Sequence, residues 1–183
     1  MGTNASPEIA NLTLYWDEAT YVDSLLLSDP RAAAKHAHTR RFIDDMLTWY
    51  ATPPSSAHYG LEWRETTNND GTCTFLGTKI SIDNGSLRIA VFDKALEWSF
   101  KVIRYPSATS NAPAHQAAGV ITGQLTRFMH ICNRSADFKA AVKLLTIRML
   151  QRGHPSPVLA KGWTSHVKGY QGKSPQMVTR FSQ

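Results

Sequence analysis

The sequence predicts an α+β fold from two observations. Apolar residues recur at helical spacing near the N-terminus and in the C-terminal third, whereas turn-bounded segments of β-forming residues fill the middle. The 183 residues suffice for one globular unit with a small appendage. No segment approaches the run of about 20 apolar residues that spans a bilayer, so no membrane partner is expected.

The first predicted element is a helix over about residues 7 to 27. Ser6-Pro7-Glu8 is typical of an N-cap, a first-turn proline and a first-turn acid. Asp29-Pro30 is expected to end the helix. Its apolar residues recur at three- and four-residue steps and form one stripe: Ile9, Leu12, Trp16, Ala19, Val22 and Leu26.

The middle of the chain predicts β-structure. Residues 39–43 lead as a strand into Asp44-Asp45, and the chain returns over residues 46–50. A strand over residues 72–83 ends at Asn84-Gly85, a strong hairpin signal, and pairs with residues 87–92. Residues 61–66 alternate in character before a turn, and residues 98–105 are expected to be extended.

The final third predicts a helical bundle. Gly153 and Pro155 should end its second helix, and Ser156-Pro157 should open a short third helix through Trp163. The pair Gly119 and Gly123 suggests close helix packing. The apolar stripes are Ala117, Ile121, Leu125 and Phe128 in the first helix and Phe138, Val142, Leu145 and Met149 in the second, which Ser135 is predicted to cap.

Charge is divided unevenly along the chain. Residues 1–100 carry 8 Lys+Arg and 13 Asp+Glu, a balance of −5, and residues 101–183 carry 12 Lys+Arg and one acid, a balance of +11. Lys139 and Lys143 flank the second stripe on one side, and Arg148 and Arg152 on the other, with no acid beside them. This pattern favours either a helix against phosphates or a solubilising surface.

The adjacent carboxylates of Asp44 and Asp45 repel each other unless a cation offsets the repulsion. Mg²⁺ prefers such oxygen ligands, although Asp is also common in simple turns. The segment Arg41-Phe42-Ile43-Asp44-Asp45 resembles the metal-binding hairpin of reverse transcriptases. Two other segments agree in order: residues 1–11, Met-Gly-Thr-Asn-Ala-Ser-Pro-Glu-Ile-Ala-Asn, resemble the family's glycine turn and palm helix, and residues 75–80 resemble its primer-gripping hairpin.

The resemblance covers about residues 1–168 and is closest to Penelope-like retroelements. It implies a partial palm over residues 1–105 that lacks the fingers and the first metal-binding strand, a basic helical thumb over 106–168 and a flexible tail over 169–183. It also implies an RNA-directed DNA polymerase that binds an RNA template and DNA primer, or an RNA–DNA duplex, together with dNTP and two Mg²⁺ ions.

The resemblance also assigns roles to individual residues. Asp44 and Asp45 would be catalytic and would ligate the metal. Gly2, Asn4 and Arg64 would contact the nucleotide or template, Arg64 standing where the family usually has a proton-donating lysine; arginine is a poor proton donor. Phe75, Leu76 and Gly77 would form the primer grip. The nucleic-acid backbone would be held by five residues: Arg127, Lys139, Lys143, Arg148 and Arg152.

A two-metal polymerase needs a further aspartate from upstream of the glycine turn. The expectation is therefore a fragment of such an enzyme, inactive alone. The alternative is a non-catalytic nucleic-acid-binding protein that keeps the basic thumb. A third hypothesis is an active enzyme whose fingers segment comes from a second chain.

Overall fold

The computed structural model describes residues 5–60 and 62–171 and confirms the α+β class. The chain forms two compact units, Met1–Thr66 and Thr67–Gln183, here called the N-terminal and C-terminal units. The division lies well before the predicted boundary at residue 105, because the hairpins after Thr67 pack with the C-terminal helices.

The N-terminal unit contains mainly helix and one small hairpin. Its helices are α1 (Ser6–Ser28), α2 (Pro30–Lys35) and α3 (Ser56–Tyr59), with a 3₁₀ turn at His36–His38. Strands β1 (Arg40–Phe42) and β2 (Asp45–Leu47) pair antiparallel, with Phe42 opposite Asp45. The predicted hairpin around the aspartates is therefore confirmed.

Helix α1 matches the predicted span to within a residue at each end. The predicted Ser6 cap is wrong: Ala5 is the N-cap of α1, and it makes no side-chain capping hydrogen bond. At the other end, the Asp29 carboxylate accepts hydrogen bonds from the backbone of Arg31 and Ala32, both at 3.1 Å. Asp29 thereby ends α1 and caps α2, whose first residue is Pro30.

The predicted apolar stripe of α1 lies largely in solvent. Ile9 is 59% exposed, and Leu12 and Trp16 are each 71% exposed. Asn11 and Glu18, beside one edge of this stripe, accept hydrogen bonds from Arg41 of β1. Periodicity identified the stripe, but little in the described part of this unit covers it.

The C-terminal unit begins with a three-stranded antiparallel sheet of β3 (Cys73–Phe75), β4 (Thr78–Asp83) and β5 (Ser86–Val91), in that order. The single strand predicted over residues 72–83 is wrong, because Leu76 and Gly77 adopt φ of 49° and 73° and turn the chain back. The predicted Asn84-Gly85 hairpin is confirmed, with φ of 50° and 75°.

Two segments expected to be extended do not form strands. Residues 62–66 and 98–105 have no regular secondary structure in the described chain. The latter segment follows a 3₁₀ turn at Lys94–Leu96 and leads toward the first helix of the bundle.

Three helices complete the unit: α4 (Ala114–Ile131), α5 (Ser135–Gln151) and α6 (Ser156–Gln171). Their core confirms both predicted stripes, with Val142 only partly buried. Arg134, not Ser135, is the N-cap of α5, and the Ser135 hydroxyl is buried without a hydrogen-bond partner among the described residues. Helix α6 extends past the predicted Trp163 and into the segment expected to be a flexible tail, of which residues 172–183 are not described.

Polar contacts fix the sheet to the helices. The Asn133 side chain, in the α4–α5 turn, accepts from the Ile89 amide at 2.9 Å and donates to the Leu87 carbonyl at 2.8 Å. Arg88 donates two hydrogen bonds to Asp137 at the start of α5. The turn therefore occupies part of the backbone edge of β5.

Close helix packing occurs at a glycine other than the predicted pair. Gly119 and Gly123 face open space. A Cβ at Gly162 would instead meet Ile121 at 2.7 Å and the Ala118 carbonyl at 3.1 Å. Gly162 therefore lets α6 approach α4. No helix among the described residues is long and apolar enough to cross a membrane.

Candidate nucleic-acid interface

The predicted catalytic aspartates lie at the tip of the β1–β2 hairpin. Asp44 is in the turn after Ile43, which has a φ of 54°, and Asp45 is the first residue of β2. Both are exposed, and neither carboxylate makes a hydrogen bond or ion pair to a described residue. The described residues contain no group of three or more His, Cys, Asp or Glu side chains placed to hold a metal. Two carboxylates alone are an incomplete ligand set for a two-metal centre.

Arg41 holds this hairpin against α1. Its Nε donates to the Glu18 carboxylate at 2.6 Å, and its Nη1 donates to the Asn11 side chain at 3.0 Å and to the Ile43 carbonyl at 3.2 Å. The Arg41 side chain is only 11% exposed, so this charge-assisted contact is shielded from water. Sequence reasoning quoted Arg41 as part of a motif and missed its role in orienting the aspartate turn.

The three residues predicted to contact the nucleotide or template do not form a site among the described residues. Gly2 and Asn4 lie outside the described residues. Arg64 is exposed in a segment without regular structure and makes no hydrogen bond to a described residue.

One predicted primer-grip residue and one predicted backbone-binding residue meet in the C-terminal unit. A Cβ at Gly77 would lie 2.5 Å from Nη2 of Arg127, so the guanidinium of α4 rests on the β3–β4 turn. Leu76 beside it is 47% exposed, whereas Phe75 is half-buried. Gly77 therefore makes room for a cation at the tip of the hairpin.

The four basic residues predicted on α5 fall into two kinds. Lys139 and Lys143 are exposed and make no ion pair to a described residue. Arg152 donates from Nε to the Tyr105 carbonyl at 2.9 Å, and Arg148 forms an ion pair with Asp93. The prediction that no acid lies beside this helix is therefore wrong at Arg148, because Asp93 arrives from 55 residues away in the chain.

Asp93 binds two arginine side chains and one backbone amide. It accepts from Arg104 at 2.6 Å, from Arg148 and from the Ala95 amide at 3.1 Å. Burial alone would raise the pKa of Asp93, but the hydrogen bonds and the charges of both arginines outweigh it and lower that pKa. Asp93 thus stays ionised and organises the cations around it.

Helix α6 presents a surface that sequence reasoning missed because it ended the helix at Trp163. At spacings of three, four and seven residues the exposed positions are Lys161, Thr164, Ser165 and Lys168. This set, here called the α6 stripe, lies on one helical face. Neither lysine makes an ion pair to a described residue. The stripe combines two cations with two hydroxyl groups.

Buried polar contacts hold the opposite face of α6 against α4. The Thr122 hydroxyl donates to the Gly162 carbonyl at 3.0 Å, and the Thr126 hydroxyl lies 3.2 Å from Nδ1 of His166. Burial lowers the pKa of His166, which is only 3% exposed. With Leu159 also buried, these contacts fix which face of α6 points outward.

The connection between α5 and α6 is a four-residue turn, Arg152 to Pro155, in which Gly153 has a φ of 81°. A short glycine-containing turn between two helices is typical of helix-turn-helix motifs, whose second helix contacts DNA. Gly153 supplies the left-handed conformation that a residue with a side chain rarely adopts.

Comparison with known families agrees with this geometry. Residues 104–163 match the family described as "Animal helix-turn-helix domain", and nearly coincide with the predicted thumb, 106–168. No curated protein and no solved structure matches the chain. The matched segment is about a third of the chain and includes α4, α5 and the first half of α6. Helix-turn-helix motifs include DNA-binding elements whose second helix lies in the major groove, so the match suggests nucleic-acid binding by this segment.

Proposed function

We propose that the C-terminal unit binds duplex DNA through the α6 stripe. The observation that carries the proposal is the family match over residues 104–163, which ends within α6. The exposed face of this helix bears two hydroxyls and two lysines that make no ion pair to a described residue. Helix α6 follows α5 across a short turn, as the recognition helix does in helix-turn-helix proteins.

The chemistry of the stripe suits both parts of duplex recognition. Lysine ammonium groups contact phosphates, and Ser or Thr hydroxyls donate to or accept from phosphates and base edges. The Thr164 hydroxyl donates to the Ala160 carbonyl at 2.9 Å, but its oxygen can still accept. Lys139 and Lys143 on α5 add positive charge on a neighbouring helix, which supports sequence-independent attraction to the duplex.

The test is the salt dependence of binding to a labelled DNA duplex, followed by fluorescence anisotropy. The paired substitution Lys161→Gln and Lys168→Gln should weaken binding on the order of tenfold and reduce the slope of log K against log salt by about 2. The control pair, Lys79→Gln and Lys94→Gln, removes the same charge elsewhere in the unit. Equal losses for both pairs would contradict a specific role for α6.

A second candidate function is that of a retroelement reverse-transcriptase fragment. Two observations favour it: the aspartates of the Ile-Asp-Asp segment lie at a hairpin tip, and residues 75–78 form a hairpin turn, as the resemblance implies for the metal-binding and primer-gripping hairpins. On this proposal Asp44 and Asp45 would ligate Mg²⁺, and Gly77 and Arg127 would lie against the primer strand of an RNA–DNA duplex.

This candidate is tested by comparing ligands and by assaying synthesis. The polymerase-fragment proposal expects RNA–DNA hybrid to bind at least as tightly as DNA of the same sequence, and expects no templated extension of a primer by this chain with Mg²⁺ and dNTP. Much weaker binding of the hybrid would count against it. Extension that disappears in Asp44→Ala would establish an active polymerase and refute the expected inactivity.

A further inference from the structure

A pocket of about 190 Å³ lies between the segment after β5 and the C-terminal end of α5. Four basic side chains line it: Lys101, Arg104, Arg148 and Arg152. The pocket belongs wholly to the C-terminal unit, and its lining includes no residue of the α6 stripe. We propose that this pocket binds the phosphate group of a nucleotide, with the base against Phe100.

The charge balance of the pocket is positive. The four lining cations are opposed by the Asp93 carboxylate, which pairs with Arg104 and Arg148, and by the carbonyl end of α5, a fixed dipole worth roughly half a negative charge. The sum is roughly +2.5. This surplus of positive charge on one small cavity favours a ligand with one or two negative charges. Phosphate fits because the planar guanidinium of arginine can donate two parallel hydrogen bonds to its oxygens.

Asp93 aligns the cations without neutralising them all. It holds Arg104 and Arg148 from one side, while the Tyr105 carbonyl orients Arg152. The Arg104 side chain remains 42% exposed, and Lys101 makes no ion pair to a described residue. Hydrogen-bond donors on these two side chains are therefore available to a ligand. Their positions are also partly fixed before binding, which reduces the conformational entropy lost when a ligand binds.

The pocket is too small for a typical cofactor. Sites for drug-sized molecules occupy about 300–1,000 Å³, so a compact anion is the better fit. Phe100 lines the pocket and is 61% exposed, and its ring packs against Trp98 at a centroid distance of 5.3 Å. An exposed aromatic face beside a positive groove is the arrangement that stacks bases of single-stranded nucleic acid.

The experiment is an NMR titration of the whole chain with inorganic phosphate, a nucleoside, the matching nucleoside 5′-monophosphate and a short single-stranded oligonucleotide. We expect saturable shifts of residues 95–105 with every phosphate-bearing ligand, and tighter binding of the monophosphate than of inorganic phosphate. Stronger binding of the oligonucleotide than of the monophosphate would identify a strand as the source of the phosphate.

Variants locate the site. Lys101→Gln and Arg104→Gln should each weaken phosphate binding on the order of tenfold, and Phe100→Ala should remove the preference for the nucleotide over inorganic phosphate. Lys101→Gln removes no internal ion pair, so it tests the site even if Arg104→Gln perturbs folding. Lys79→Gln, which makes the same charge change at an exposed position of β4 and does not line the pocket, is the control and should leave phosphate binding unchanged.

Absence of saturable phosphate shifts in the wild-type chain would overturn the inference, as would equal weakening by Lys79→Gln. Because the α6 lysines do not line the pocket, the two proposals fail separately. A chain that binds phosphate here but not a DNA duplex contradicts the duplex proposal and supports this one.

Discussion

The two units differ in what their helices bury. Among the described residues of the N-terminal unit only Ala33 and Pro54 are buried, whereas the C-terminal unit buries a continuous cluster that includes Leu125 and Met149 at 0 and 1% exposure. Most of the stabilising burial of apolar surface therefore lies in the C-terminal unit. The comparison teaches that an apolar stripe becomes a core only where a second element covers it.

The most severe test of this contrast is a pair of leucine truncations. Leu125→Ala should lower the free energy of unfolding by about 2–5 kcal/mol, because it opens a cavity in a fully buried site. Leu12→Ala, on the 71% exposed position of α1, should change it by less than about 0.5 kcal/mol. Chemical denaturation monitored by circular dichroism measures both. Similar losses in the two variants would show that α1 is covered in solution.

A smaller effect is expected where α6 meets α4. Gly162→Ala should cost about 1–3 kcal/mol, since the new methyl would lie 2.7 Å from Ile121. Gly123→Ala on the same pair of helices faces open space and should stabilise by about 0.5–1 kcal/mol through helix propensity. Thermal unfolding compares the two, and a stabilising Gly162→Ala would refute the close approach of the helices.

The smallest expected effect is a dependence on pH. Burial lowers the pKa of His166 in the folded chain, so the unfolded chain takes up its proton first, near pH 6.5. The stabilisation that comes from keeping His166 neutral is therefore complete above about pH 6.5, and it is lost as the pH falls below that value.

Asp137 contributes to stability in a lower pH range. Its pKa is lowered chiefly by the hydrogen bonds from Arg88, so its contribution to the free energy of unfolding is lost only below about pH 4.

His166→Gln should thus flatten the fall in unfolding free energy between about pH 7 and pH 5. His115→Gln, at an exposed position of α4, is the control and should keep the wild-type profile. A His166→Gln profile as steep as the wild type would show that another group titrates in this range.

The parts predicted from sequence are those with local causes. The stripes of α4 and α5 and the Asn84-Gly85 turn follow from periodicity and backbone preference, and the structure confirms them. The residue pattern alone predicted one strand through Leu76-Gly77, because leucine rarely adopts a positive φ; only the resemblance over residues 75–80 implied a hairpin there. Helix α6 was predicted too short, which concealed three of the four residues of its exposed stripe.

The candidate sites depend on long-range partners that spacing does not reveal. Arg148 meets Asp93 across 55 positions, and Arg127 rests on Gly77. The exposure of the apolar face of α1 could not be predicted either, since a helical stripe indicates which face is apolar but not whether another element covers it.

The most direct measurement of the central claim compares DNA-duplex binding by residues 67–183 alone with binding by the whole chain. If the C-terminal unit carries both the core and the nucleic-acid surface, the separate unit should remain helical and bind within about threefold of the whole chain, with the same salt slope. A folded unit that loses more than about tenfold in affinity would contradict the assignment of binding to α4–α6.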